Sequence, residues 1–161
     1  MMRALVLALL LILPLPALAA SGQHYVNVRF GFAIDVPAGF VGQGESDNSD
    51  GQVFTTPTAK LTVYGANVLN GGFEDEVRQA QGADSTDGWN ISYQTTTPRN
   101  ASYSGKRGGR ILYARMIALC GGQQFAAFEL EYSVADMSKF DPVVNGLVRS
   151  FQATQGSASC N

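Results

Sequence analysis

Tyr25-Val-Asn-Val-Arg-Phe-Gly-Phe-Ala-Ile-Asp-Val-Pro37 is the stretch that decides the fold. Phe30, Phe32, Ile34 and Val36 alternate with Arg29, Gly31, Ala33 and Asp35. A period of two over this length predicts a strand with one buried face. Pro37 has no N–H to give to a ladder, and it ends the strand. Downstream the same pattern returns. Gly42 to Asp50 is polar and reads as a loop, Asp50-Gly51 is a hairpin signal, and Gln52 to Thr56 is a short strand. Lys60 to Leu69 is the next strand, Trp89 to Thr95 another, and Ile111 to Leu119 the strongest.

Two segments break the alternation. Phe73, Val77 and Ala80 share one helical face, and Glu74, Asp75 and Glu76 sit where a helix dipole favours acids. Gly82 is the expected stop. Near the end, Asp141-Pro142 reads as an N-cap followed by proline at the first helical position, with Val144, Leu147, Val148 and Phe151 at helical spacing. Asp136 to Phe140 is a preceding turn that brings Met137 and Phe140 to the core. Runs of strands with two helices predict an α+β domain, an antiparallel sheet with helices packed on it.

Upstream, Met1-Met2-Arg3 is a basic start, Ala4 to Leu13 is apolar, and Ala17-Leu18-Ala19 is a small-residue cleavage pattern. This is the layout of a secretory signal peptide. Ten apolar residues interrupted by Pro14 and Pro16 fall short of the ~20 a spanning helix needs. The expected organisation is a signal over residues 1–19 and one domain over 20–161, soluble in the periplasm or outside the cell, with no transmembrane segment after cleavage. The cysteines are two, Cys120 and Cys160, and an even pair in an exported chain predicts one disulfide that tethers the C-terminal tail. Charged residues make up 15% of the 161 and the net charge is −2, which argues against nucleic acid as a partner.

Tyr25-x-Asn27-x-Arg29-Phe30-Gly31-Phe32-x-Ile34-Asp35-x-Pro37, followed by a hairpin and a closing Val148-x-Ser150-Phe151, resembles the PsbP-like fold family. That family includes the Ran-binding Mog-type proteins and many short exported bacterial proteins. The resemblance covers Tyr25 to Phe151. It implies an antiparallel sheet sandwiched by helices and no shared catalytic residues. Its understood members mostly act as binding or assembly factors, and fold analogy names no partner. The resemblance also points to a bacterium, where the sequons Asn90-Ile-Ser92 and Asn100-Ala-Ser102 carry no meaning.

Few residues promise chemistry. His24 is the only histidine and lies near the mature N-terminus, a poor place to hold a catalytic base. In the acidic run ending at Gly51, the twelfth position of a calcium loop falls on Pro57, where a bidentate Glu is required. Gly105-Lys-Arg-Gly-Gly-Arg110 lacks the order of a phosphate loop and reads as a hairpin turn. No catalytic residue, cofactor or metal site is expected.

The charge distribution is uneven. Between Asp87 and Glu129 there is no acidic residue, while Arg99, Lys106, Arg107, Arg110 and Arg115 all lie there. Arg99, Lys106, Arg107 and Arg110 form the candidate partner-binding hairpin, suited to an anionic envelope component or another envelope protein. If the last hairpin turns at Gly121-Gly122, Arg115 faces Phe128, between the pairs Tyr113–Leu130 and Ile117–Ala126. On that apolar face it needs a carboxylate partner or a route to water. The leading expectation is a non-enzymatic binding or assembly module of the envelope. The alternatives are a small periplasmic hydrolase or transferase working through Asp35, Glu129 or Glu131, and a purely structural envelope protein.

Overall fold

The computed structural model describes residues 22–69, 71–154 and 160. The expected signal peptide, residues 1–19, lies outside them. The chain order is β1 (Gln23–Asn27), β2 (Phe32–Val36), β3 (Val41–Glu45), β4 (Gly51–Thr55), β5 (Lys60–Asn67), α1 (Phe73–Thr86), β6 (Asn90–Thr96) and β7 (Asn100–Arg107). There follow β8 (Arg110–Leu119), β9 (Gln124–Ser133), α2 (Met137–Ser150) and β10 (Gln152–Ala153). Seven strands form one antiparallel sheet in the order β3-β4-β5-β9-β8-β7-β6, and β1, β2 and β10 form a second, small one. Both helices pack on sheet faces, so the expected α+β class is what the chain adopts.

The near face of the large sheet carries Leu61, Val63, Phe128 and Leu130, and it is covered by the small sheet and α2. Aromatic rings join the layers. Phe151, just past α2, meets Phe32 of the small sheet at 5.9 Å and Phe128 of the large sheet at 5.3 Å, both edge-on. The far face carries Tyr103, Leu112, Ala114 and Met116, and α1 lays Phe73 and Val77 on it.

The opening stretch departs from its expected form. It is a hairpin of two strands, not one, because the chain turns over residues 28–31. Gly31 takes φ +66°, a left-handed value that favours glycine. The buried Asn27 side chain accepts the Phe30 N–H at 2.8 Å. Phe30 lies flat over β5, where a Cβ on Gly65 would stand 2.4 Å from its ring. Arg29 pairs with Asp50 at 2.9 Å, tying this turn to the β3–β4 loop.

Other boundaries moved for local reasons. Part of the expected polar loop after Pro37 is the edge strand β3, paired to β4 with an irregularity between Gly42 and Glu45. Helix α1 runs past Gly82, which lies at an exposed position, and ends before Gly88 at φ +90°. Its start is capped by Asp75, which accepts the Gly72 N–H at 3.0 Å. Helix α2 begins at Met137, so Pro142 lies inside it and not at its first position. A 3-10 turn over Val134–Asp136 already starts the winding, and both Pro142 and Ser138, whose carbonyl loses its donor, are exposed to solvent. The disulfide joins Cys120 to Cys160, with Cα atoms 5.1 Å apart. Among the described residues no helix is long and apolar enough to cross a membrane.

Candidate functional site

Strands β6, β7 and β8 form the end of the large sheet, and all the predicted cations lie on them or in their turns. The β7–β8 hairpin turns at Gly108-Gly109 and places Arg107 opposite Arg110. Arg107 stacks over the Trp89 ring, 4.4 Å from its centroid, and donates to the Asp87 carbonyl at 2.9 Å. Arg110 approaches Glu131 at 3.8 Å, and Glu131 also holds Lys60 at 2.7 Å. Lys106 is exposed and has no ion pair among the described residues. Arg99 does not join them. It sits in the turn at the other end of β7, beside Pro98, Gly121 and Gly122. At about 3.3 Å per residue, that is roughly 25 Å from the tip. The four candidate residues are therefore a tip of three, two of them already engaged, and one remote arginine.

The acidic block upstream serves its own helix. Asp75 caps α1 and pairs with Arg78, and Glu76 accepts the Leu69 N–H at 3.0 Å. Asp87 lends its carbonyl to Arg107. Arg107 also lies close enough to Asp84 for its charge to be felt there, so the acidic and basic blocks meet at this arginine.

Arg115 faces Phe128 across β8 and β9, with Tyr113 opposite Leu130 and Ile117 opposite Ala126, the register expected from the turn. Of the two outcomes expected for it, a carboxylate partner is not found among the described residues, and the side chain is half-buried. Arg115 donates from Nη1 to Ser102 Oγ at 3.0 Å, and its Nε is buried with no acceptor. Glu129 and Glu131 lie in the opposite register phase, opposite Ala114 and Leu112 on the far face.

The carboxylates named for the enzyme alternative separate in space. Asp35 sits on the small sheet with an exposed side chain, 2.6 Å from His24 Nδ1, directly across the β1–β2 ladder. Glu129 lies on the far face of the large sheet, where Tyr64 donates to it at 3.3 Å. Burial raises the Glu129 carboxyl above its usual range, and the charge of Asp84 adds to this. Asp84, on α1, is raised chiefly by its own burial, although Tyr103 donates to it at 2.8 Å. Burial likewise pushes the Tyr64 and Tyr103 hydroxyls well up. Sequence reasoning found Glu129 but missed its neighbours, because Asp84 comes from a helix and Tyr64 from another strand. Among the described residues, no three His, Cys, Asp or Glu side chains are grouped to hold a metal.

This cluster has a pH signature. A carboxyl raised in the folded state contributes stability that is complete below the unfolded value and is lost as pH rises through the folded one. Glu129→Gln keeps an acceptor for Tyr64 and removes one such group. It is expected to melt at or above wild type at neutral pH and to flatten the decline of Tm with rising pH. Melting curves from about pH 4 to 8 measure this. A variant profile parallel to that of wild type would show that Glu129 is not the group responsible.

Grooves flank the sandwich. One of about 570 Å³ runs between β2 and α2, lined by Asp35, Val36, Pro37, Pro142, Val143 and Gly146 among others. Another, of about 280 Å³, lies beside β3 and β4 and includes Tyr64 but not Glu129.

No protein-family model matches the chain, and no curated protein matches it in sequence. Solved structures do match in shape. Cyanobacterial PsbP (CyanoP) from Synechocystis superposes with a TM-score of 0.61 at 14% identity, covering 86% of this chain and 95% of its own. The Saccharomyces cerevisiae Ran-binding protein Mog1p gives 0.62 at 10% identity, with 86% and 98% covered. A point mutant of Mog1 gives 0.60 at 11% identity, with 84% and 97% covered. The chain has the PsbP-like fold. The likeness spans nearly the whole length of those proteins, so it rests on the PsbP-like architecture as a unit. At these identities it shows the fold and assigns no residue of the cation-bearing end a role.

Proposed function

We propose that residues 20–161 are exported after signal cleavage and act as a non-enzymatic binding or assembly module of the bacterial envelope. The partner is another envelope protein, or an anionic envelope component, met by the β6–β8 end of the large sheet. One observation carries this reading. From Asn90 to Leu119 the chain holds Arg99, Lys106, Arg107, Arg110 and Arg115 and no carboxylate, and this charged block ends in β6, an edge strand with no charged residue. A strand at a sheet edge presents unpaired N–H and C=O groups, and charged residues are a usual guard against unwanted pairing. The disulfide suits an oxidising compartment. A Ran-binding protein among the structural neighbours supports protein binding as a use of this fold.

The test is crosslinking capture in the native envelope by the disulfide-bonded protein, run beside Lys106→Glu and Arg99→Glu. Both side chains are free of ion pairs among the described residues, so their reversal leaves the packing intact. The expected result is one partner, held by wild type and lost from one variant, with capture falling as salt rises. A partner retained equally by both variants at all salt concentrations, or no partner at all, overturns the proposal.

Hydrolysis or group transfer by strand carboxylates is the second reading, favoured by the raised carboxyls of Glu129 and Asp84. A carboxyl whose burial favours its neutral form, beside a tyrosine, resembles a general acid. Turnover of an ester or glycoside substrate that Glu129→Gln abolishes, with the fold intact, would move the assignment to that reading.

A further inference from the structure

We infer that Arg115 is the centre of a small-ligand site, and that its ligand is a carboxylate carried on a hydroxylated ring, the chemistry of a uronic acid. Arg115 lies on the near face of the large sheet, opposite Ser102 on β7 and Phe128 on β9. Arg115 is half-buried, its Nε is shut off from water with no acceptor, and its one side-chain hydrogen bond goes to the neutral Ser102 hydroxyl. A buried polar atom left without a partner is costly, and a cation on an apolar face gains from a counter-charge. Here no pairing is supplied by the described residues. An anion brought from outside relieves that cost, which makes the position a binding site.

The surroundings define the anion. β7 and β6 continue the near face beyond Arg115, and the register places Ser102 beside Thr95, and Ser104 between Tyr113 and Tyr93. Tyr93 is 50% exposed, and β6 is the last strand of the sheet. Ser102 is buried against Arg115. The shelf from there to the edge presents the half-buried Ser104 and the exposed Thr95 and Tyr93 beside one guanidinium, and carries no carboxylate. A planar guanidinium fork matches a carboxylate in two parallel hydrogen bonds. Hydroxyl groups both donate and accept, so they complement ring hydroxyls, which do the same. An exposed tyrosine offers an apolar ring face together with a polar tip. A phosphate is met more commonly by several cations or by the N–H groups of a helix terminus, and this shelf has neither.

This site does not depend on the partner proposed above, because Lys106 and Arg99 take no part in it. The experiment is an amide chemical-shift titration of the mature, disulfide-bonded chain with glucuronate, with glucose, acetate and inorganic phosphate as separate arms. Glucuronate is expected to shift the amides of Ser102, Arg115 and Tyr93, with acetate weaker and glucose without effect. Arg115→Lys keeps the charge and loses the fork, and is expected to weaken glucuronate about tenfold. Ser102→Ala, a smaller change, is expected to weaken it less. The inference is overturned by an absence of shifts at millimolar glucuronate, by equal response to glucose, or by tighter binding of phosphate. It is also overturned if both variants bind as wild type does, or if the shifts map to the β7–β8 tip instead.

Discussion

Replacing Asn27 by leucine is expected to destabilise the fold by about 3 kcal/mol, although the two side chains are close in size. Asn27 is 1% exposed. Its Nδ2 donates to the Ser49 carbonyl at 2.9 Å and approaches Tyr25 Oη and Glu45 Oε1, both at 3.3 Å. Its Oδ1 accepts the Phe30 N–H, and its carbonyl accepts the Gly31 N–H at 2.9 Å. One side chain thus closes the β1–β2 turn and ties it to the β3–β4 loop. Leucine leaves the buried Phe30 N–H without its acceptor, at about 1–3 kcal/mol, and also gives up the bonds of Nδ2, including the one to the carbonyl of the exposed Ser49. The Tyr25 hydroxyl, which donates to Glu45 at 2.9 Å and is pushed up to about 12 mainly by burial, loses its Asn27 neighbour as well. Urea unfolding of Asn27→Leu beside Asn27→Asp measures the effect. Aspartate keeps the acceptor for Phe30 and is expected to fall between wild type and leucine. A leucine variant within about 0.5 kcal/mol of wild type would mean that the turn is held by the packing of Phe30 alone.

That turn shows where sequence reading reaches and where it stops. Hydrophobic patterning is a local property, so β8 and β9 were legible. Ile111 to Leu119 is apolar on both faces, as a central strand is, and the glycine turn after it sets the observed pairing of Arg115 with Phe128. The alternation over Phe30 to Val36 spans a turn and the strand after it, because Phe30 is buried from a turn position. Nothing local announces that Asn27 points inward to hold that turn. Its partners Glu45 and Ser49 lie in a stretch whose composition is that of a loop.

The candidate cations divide between the two ends of β7 for a related reason. Cations close in sequence are close in space on a helix, but on a strand eight residues span roughly 25 Å. Arg99 and Lys106 therefore stand at opposite ends of β7. The face of Arg115 was legible from the hairpin. The lack of a counter-ion was not, since it depends on which strands lie beyond Ser102 and on both nearby glutamates taking the opposite face.

The second large effect concerns the covalent tether. Cys120→Ser combined with Cys160→Ser is expected to lose about 3–4 kcal/mol, the chain-entropy value for a closed loop of this size. The cysteines are 40 positions apart, and the loop they close contains β9, α2 and β10. The described non-covalent hold on the segment after α2 is small. β10 contributes two residues, paired to Ala33 and Phe32, and the Thr154 N–H donates to the Gly31 carbonyl at 2.8 Å. Phe151 is different: buried between Phe32 and Phe128, it anchors the end of α2 whether or not the bridge exists. The double variant should therefore fold, with faster hydrogen exchange at Ala153 and Thr154 and near-native protection in β8 and β9. Urea unfolding of wild type with and without reductant, beside the double variant, separates two accounts of the bridge. If it acts on the unfolded chain, reduced wild type and the variant lose the same stability and the exchange change stays at β10. If the loss is under about 1 kcal/mol, the bridge only pins an end that Phe151 already holds.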